Sequence, residues 1–168
     1  IPRNKNYWII GDRFGERYDD NSKFLFEYIS NLDTKIKIIW ITNRNDIKSN
    51  LEAKGFYCYT KWSFYGMYYS LISKIAIVTF SRYDINSFLM GNATWINLHH
   101  GNTIKADGTY VSLKSKIIHF LIKIFLRYRS SVYDYMVCTN NNKTLFKQFN
   151  EDFNIKKSNF LVSGLPRN

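Results

Sequence analysis

Residues 95–105 read WINLHHGNTIK, and this stretch shows the pattern that determines the fold. A short, mainly apolar strand is followed by a polar turn that contains two histidines, a glycine and a lysine. Similar apolar runs recur along the chain, and most are separated from the next by a helical pattern. Strands that are apolar throughout and separated by helices are typical of a parallel sheet covered on both faces. The sequence therefore predicts an α/β domain with a Rossmann-like, doubly wound parallel sheet.

The predicted strands and helices alternate over the whole chain. We predict strands at residues 7–10, 36–42, 56–60, 75–80, 95–99, 135–139 and 160–163, and helices at residues 21–32, 46–54, 64–73, 113–128 and 141–149. Asp20, Asn21 and Ser22 are suitable capping residues for the first helix. The apolar face that we predict for this helix consists of Phe24, Leu25, Tyr28 and Leu32.

The composition indicates one domain, and its positive charge reflects either an anionic partner or an organism whose proteins are rich in lysine, asparagine and isoleucine. The chain has 168 residues and a net charge of +11, which would attract nucleic acid, phospholipid headgroups or a polyphosphate substrate. Nucleic acid is the least favoured of these, since no RRM, KH, helix-turn-helix or zinc-finger signature is present. No run is apolar for the roughly 18–20 residues that a spanning helix needs. Cys58 and Cys138 lie in apolar runs without metal-ligand spacing, and we predict that they are buried free thiols.

The turn at residues 99–105 is the strongest candidate site. Ligands of open α/β sheets bind at the carboxyl ends of the strands. A neutral histidine there can accept a proton from a hydroxyl, Gly101 allows close approach of a ligand, and Lys105 can hold a phosphate. Because adjacent strand residues point to opposite faces, we expect only one of His99 and His100 to face the cleft. The opposing interpretation is that both are structural histidines.

Two further features each allow a structural and a functional interpretation. Asp20 and Asn21 are either a plain helix cap or residues that face the cleft. In the predicted helix 113–128, Lys116, Lys123 and Arg127 lie opposite a broad apolar face. Such a helix either packs against the core with a solvated basic face or lies on an anionic membrane. The G-x-G-x-x-G dinucleotide fingerprint, the P-loop and zinc-ligand spacing are absent from the sequence, so we predict neither a cofactor nor a metal.

Four segments resemble the CDP-glycerol glycerophosphotransferase family, the polymerases and primases of wall teichoic acid and related capsule polymers. They are residues 18–28 (YDDNSKFLFEY), 37–42 (KIIWIT), 98–105 (LHHGNTIK) and 160–168 (FLVSGLPRN). The third segment is similar to the family pattern WHGtplK, with His99 in place of the tryptophan and Thr103-Ile104 in the Thr-Pro-Leu part. The fourth is similar to GyPRnD, whose final aspartate falls after Asn168.

The resemblance implies the amino-terminal half of a GT-B architecture, in which two Rossmann-like domains face each other across a cleft. Residues 1–168 would form the acceptor-side domain. The nucleotide-donor domain would lie beyond this chain, so we expect the isolated fragment to be inactive. The implied partners are a CDP-linked polyol donor, a lipid-linked polymer acceptor and an anionic membrane surface, with no nucleic acid. The implied location is the cytoplasmic face of the bacterial membrane, with peripheral attachment.

The resemblance also implies residue roles. His100 would be the catalytic base toward an acceptor hydroxyl, and Gly101, Thr103 and Lys105 would contact the acceptor or the transferring phosphate. Asp20 and Asn21 would bind the acceptor or orient His100. Two alternatives remain open at this point. One is a GT-B glycosyltransferase that uses a nucleotide sugar, and the other is a non-catalytic module that binds the acceptor or the membrane.

Overall fold

The computed structural model describes residues 2–99, 133–138, 155 and 157–167. The strands are β1 (Asn4–Ile10), β2 (Lys37–Thr42), β3 (Cys58–Thr60), β4 (Ser73–Val78), β5 (Thr94–Asn97), β6 (Tyr135–Cys138) and β7 (Phe160–Val162). The helices are α1 (Asp20–Ser30), α2 (Asn45–Ala53) and α3 (Phe64–Ile72), with short 3₁₀ turns at Arg13–Gly15, Arg82–Asp84, Ser87–Leu89 and Lys157–Asn159. The helices predicted at 113–128 and 141–149 lie outside the described residues, as do Lys116, Lys123 and Arg127.

The strands form one seven-stranded sheet in the order β3-β2-β1-β4-β5-β6-β7, and every pair in it is parallel. From β1 the chain first builds outward through β2 and β3. It then returns to the other side of β1 and continues through β4 to β7. The strand order therefore reverses between β1 and β4, and open α/β sheets bind their ligands at the carboxyl ends of the strands at such a point. The predicted Rossmann-like parallel sheet is confirmed.

Alternate strand residues divide the core between the two faces of the sheet. Ile9 and Ile39 belong to the cluster that α3 covers through Tyr69. Their sequence neighbours belong to the opposite cluster, which α1 and α2 cover through Phe26 and Leu51. This alternation is the two-residue period of an extended chain. Helices on both faces explain why each strand is apolar at consecutive positions.

The predicted exposure of α1 is wrong. Its buried residues are Asn21, Ser22, Phe26 and Ile29, whereas Phe24 and Tyr28 are 46% and 64% exposed. The reason is that two polar side chains point inward to satisfy backbone carbonyls, since the Ser22 hydroxyl donates to Gly11 O at 3.1 Å and the Asn21 amide donates to His99 O at 2.5 Å. Phe24 and Tyr28 instead line a groove of about 240 Å³ that the segment 163–166 closes on its other side.

The predicted cap of α1 is also corrected. The helix begins at Asp20, and its N-cap is Asp19, whose side chain makes no capping hydrogen bond. The Asp19 carboxylate instead lies 3.5 Å from Arg13 and 3.6 Å from Arg17. Asp20, one of the predicted capping residues, still accepts the backbone N–H of Asn21 at 2.9 Å, so the N-cap position changes while Asp20 keeps a bond to the helix start.

The prediction of buried free thiols is confirmed for Cys58 and Cys138. Burial raises the pKa of Cys58 to about 12 and that of Cys138 to about 11. Since the thiolate is the reactive form, both sulfurs are chemically inert at neutral pH. Within the described part of the chain, no helix combines the length and the apolar character that crossing a membrane requires.

Candidate functional site

The start of α1 joins two distant segments of the chain through one side chain. Asn21 is fully buried. Its Nδ2 donates to the carbonyl of His99 at 2.5 Å, and its Oδ1 accepts the backbone N–H of Arg167 at 3.4 Å. Both ends of this amide are therefore bonded within the protein, which favours an orienting role over direct contact with an acceptor.

Asp20 adds an ion pair to the same junction. Its carboxylate accepts from the Arg167 guanidinium at 3.0 Å, and the Asp20 side chain is only 7% exposed. Asp20 also has a φ of +54°, in the left-handed region that non-glycine residues seldom adopt. Three of the four segments that carry the family resemblance, 18–28, 98–105 and 160–168, thus meet at one point.

The turn after β5 is held by its own backbone contacts. Leu98 N donates to Val78 O at 2.8 Å, and His99 N donates to the Asn97 side chain at 2.8 Å. His99 is buried and has a φ of +55°. A non-glycine residue in this conformation costs on the order of 1–3 kcal/mol, and such strain is concentrated at functional sites.

The burial of His99 bears on which histidine faces the cleft. His99 is only 9% exposed, so its side chain is poorly placed to meet a ligand. His100, Gly101, Thr103 and Lys105 lie outside the described residues, so their roles stay predictions. Within the described ranges, no three His, Cys, Asp or Glu side chains approach each other as a metal site would require.

A buried carboxylate joins the two turns that follow β1 and β4. Asp84 is fully buried and accepts four backbone N–H groups, those of Phe14, Thr79, Phe80 and Ser81, at 2.8–3.2 Å. Burial raises the pKa of Asp84, and these N–H donors oppose that rise. The carboxylate therefore ties the turn after β1 to the turn after β4.

Lys61, which directly follows β3, contacts the same two turns. Its ammonium donates to the carbonyls of Phe14 and Tyr83, both at 2.6 Å. Burial lowers the pKa of Lys61, while Asp84 opposes that shift. The carboxyl edge of the sheet is thus a rigid polar surface. Asp84 and Lys61 are not among the site residues predicted from the sequence. The one signal for Asp84 is that Ser81-x-x-Asp84 has the spacing of a capping box, which the structure contains.

Asp12 is a second buried acid at this edge, directly after β1. It is 1% exposed and accepts the N–H of Arg13 at 2.8 Å. Burial, followed by the neighbouring carboxylates of Asp19 and Asp84, raises the pKa of Asp12 to about 8. At neutral pH this carboxyl is mainly protonated in the folded protein.

We expect Asp12→Asn to stabilise the protein increasingly as the pH rises. In the folded wild type Asp12 holds its proton up to about pH 8, whereas in the unfolded chain it ionises near pH 4. The unfolded state thus binds fewer protons between these values, and wild-type stability falls as pH increases. The variant lacks this loss, so its melting temperature relative to the wild type should rise by several degrees from pH 5 to pH 8, at about 2–4 °C for each kcal/mol of lost stability.

Thermal unfolding at pH 5 and pH 8 measures this effect. The exposed Asp33→Asn serves as the matched control and should show no such pH-dependent difference. A constant difference between Asp12→Asn and wild type at the two pH values would contradict the proton assignment.

A parallel sheet in this strand order, with polar turns at its carboxyl edge, defines the class of Rossmann-like α/β domains. Residues 3–168 match the sequence profile of the CDP-Glycerol:Poly(glycerophosphate) glycerophosphotransferase family. The chain belongs to this family, which confirms the resemblance drawn from the four segments.

Individual relatives agree with the family match. The chain is 28% identical over 176 residues to the teichoic acid poly(glycerol phosphate) polymerase of Bacillus spizizenii, and the match covers 100% of this chain and 42% of that protein. Its fold is similar to structures of the wall teichoic acid polymerase TagF. One is a histidine-to-asparagine variant soaked with CDPG (TM-score 0.63, 17% identity, 98% of this chain and 40% of that one). Another is a histidine-to-alanine variant (TM-score 0.62, 19% identity, 98% and 39%). The chain thus spans about two fifths of the length of these relatives.

Proposed function

We propose that this chain is the acceptor-side domain of an enzyme that transfers a polyol phosphate, either glycerol or ribitol phosphate, from a CDP-linked donor to a hydroxyl of a membrane-linked acceptor. The observation that carries the proposal is the junction at Asn21, where three family segments converge at the carboxyl edge of a parallel sheet. This edge is where α/β sheets bind their ligands. The product would be teichoic acid or a related capsule polymer.

In the proposed reaction His100 is the general base. It removes the proton from a terminal hydroxyl of the acceptor, and that oxygen attacks the phosphorus of the CDP-linked polyol phosphate. A new P–O bond forms, the bond to the leaving phosphate breaks, and CMP departs. Phosphoryl transfer depends mainly on positioning and on stabilisation of charge. Lys105, Thr103 and the backbone at Gly101 are the candidate groups for the phosphate.

The other half of the reaction belongs to a second domain in this proposal. Residues 1–168 hold the acceptor and the base, and a nucleotide-binding Rossmann-like domain beyond Asn168 holds the donor in a GT-B arrangement. The chain covers 42% of the polymerase that it matches, and a protein of that length has room for a second domain. His100 in the isolated domain then lacks a donor to react with, and we expect no transfer activity from the fragment alone.

Donor competition tests the proposed class of reaction. The full-length enzyme is incubated with CDP-glycerol, CDP-ribitol or UDP-sugars in the presence of a lipid-linked acceptor, and nucleotide release is followed. We expect acceptor-dependent release of CMP from one of the CDP-linked polyols. Release of UDP from a nucleotide sugar, with no turnover of either CDP-linked polyol, would identify a glycosyltransferase instead.

We also propose that the domain lies on the cytoplasmic face of the bacterial membrane, where Lys116, Lys123 and Arg127 contact anionic lipid. The net charge of +11 supports this location. Changing the three cations to glutamine should lower the partition coefficient onto vesicles of anionic phospholipid, measured by co-sedimentation, by about a hundredfold, at about 1 kcal/mol for each charge near the surface. A matched triple glutamine variant at Lys35, Lys48 and Lys54, three lysines outside residues 113–128, controls for the loss of three positive charges. Equal binding by the two variants would discard the 113–128 segment as the anchor.

A further inference from the structure

We infer that Asn21 is a positioning residue for the base, because its amide fixes the peptide unit that leads into His100. The inference rests on the proposed function of His100. Asn21 does not touch the reacting atoms in this account. It acts through the backbone of its neighbour in space, His99.

The peptide unit between His99 and His100 links the Asn21 hydrogen bond to the proposed base. The His99 carbonyl belongs to the planar peptide unit whose nitrogen is that of His100, so fixing this oxygen fixes the plane from which His100 departs. Asn21 Nδ2 donates to that oxygen at 2.5 Å. On the other side of the same residue, His99 N donates to Asn97 Oδ1 at 2.8 Å. The backbone of His99 is therefore held at both its nitrogen and its oxygen.

The bonds of the Asn21 amide are long-range contacts and do not cap its own helix. Asn21 lies in the first turn of α1, but Asp19 is the N-cap. The partners of the Asn21 amide are 78 and 146 positions away along the chain. The left-handed backbone of His99 is also strained, and such a conformation persists only where surrounding contacts hold it. The hydrogen bond from Asn21 is one of those contacts.

The hydrogen bond between Asn21 and His99 is buried. Asn21 is fully buried, and its partner His99 is 9% exposed. Water cannot readily replace a bond at such a site, so loss of the amide leaves the His99 carbonyl without this donor and the turn free to shift. A displacement of about 1 Å at a catalytic group can lower a rate by about a hundredfold. The side chain at position 21 must therefore donate to this carbonyl at a fixed reach, which aspartate and alanine do not.

The test compares two buried asparagines in the full-length enzyme. Asn86 is 4% exposed, and its amide also donates to a backbone carbonyl, that of Lys61. Asn21→Ala and Asn21→Asp are compared with Asn86→Ala and Asn86→Asp for melting temperature, kcat and KM with the CDP-linked polyol. We expect Asn21 variants to lose about 10–100-fold in kcat while KM for the donor stays within about threefold. Asn86 variants should lose comparable thermal stability but less than about threefold in kcat.

A double-mutant cycle separates positioning from a general loss of structure. If Asn21 acts through His100, then Asn21→Ala should lower the residual rate of His100→Ala by less than about twofold. Equal losses with and without His100, or equal kcat values for the Asn21 and Asn86 variants, would overturn the role of Asn21. A wild-type rate in His100→Ala would overturn the proposed function instead, so the two failures are distinguishable. If one Asn21 variant does not fold, the other supplies both comparisons.

Discussion

Replacing His100 with alanine in the full-length enzyme is expected to lower the rate of polymer extension by about 10²–10⁴-fold, the usual contribution of a general base. The acceptor hydroxyl is a poor nucleophile until its proton is removed, and a neutral histidine can accept that proton. Of the two histidines in the LHHGNTIK segment, His99 is buried, which leaves His100 as the candidate base. Binding of the donor should change little, because the proposed donor site belongs to the second domain. The rate is measured as CMP release in the presence of acceptor.

The matched control is His119→Ala, which removes the one histidine outside the 99–100 pair. It should retain the wild-type rate within about threefold. A rate of the His100 variant that equals this control would remove His100 from the mechanism. A fall only in affinity for the acceptor, with kcat unchanged, would assign His100 to binding.

Replacing Asp84 with alanine is expected to destabilise the fold by about 3–5 kcal/mol. The substitution leaves four backbone N–H groups without their acceptor in a site that is fully buried. Each of these hydrogen bonds goes to a charged group, and such bonds contribute more than neutral ones. The turns after β1 and β4 should separate, and the loss should exceed that of any exposed carboxylate.

Equilibrium urea unfolding measures the loss, with the exposed Asp33→Ala as control. Asp84→Asn should fall between the two, because its carbonyl oxygen still accepts hydrogen bonds while its NH₂ group is forced against N–H donors. A loss below about 1 kcal/mol for Asp84→Ala would contradict the central structural role of this carboxylate.

The parallel sheet was predictable from the sequence for a physical reason. Strands covered by helices on both faces must be apolar at consecutive positions, and runs such as Ile38-Ile39-Trp40-Ile41 display this directly. Most ends of the strands lie within two residues of their predicted positions. Gly55 directly follows the C-cap of α2 with a φ of +80°, the left-handed conformation in which many helices end.

The packing of α1 and the contacts within the site were harder to predict from the sequence. Pattern analysis assigns asparagine and serine to the solvent side of a helix, but Asn21 and Ser22 face inward because carbonyls from distant strands need donors. Contacts that span 78 or 146 residues leave no local signal in the sequence. The participation of Arg167 in the site was hidden for this reason, even though its segment had been noted for its resemblance.

The product formed on a defined acceptor gives the most direct test of the proposed reaction. The full-length enzyme and its His100→Ala variant are each incubated with CDP-glycerol or CDP-ribitol and a lipid-linked acceptor, and the acceptor is analysed by mass spectrometry. We predict that the wild type adds a polyol phosphate through a new phosphodiester while releasing one CMP for each unit, and that the variant adds almost none. A wild-type acceptor without added polyol phosphate, or equal extension by the variant, would contradict the account.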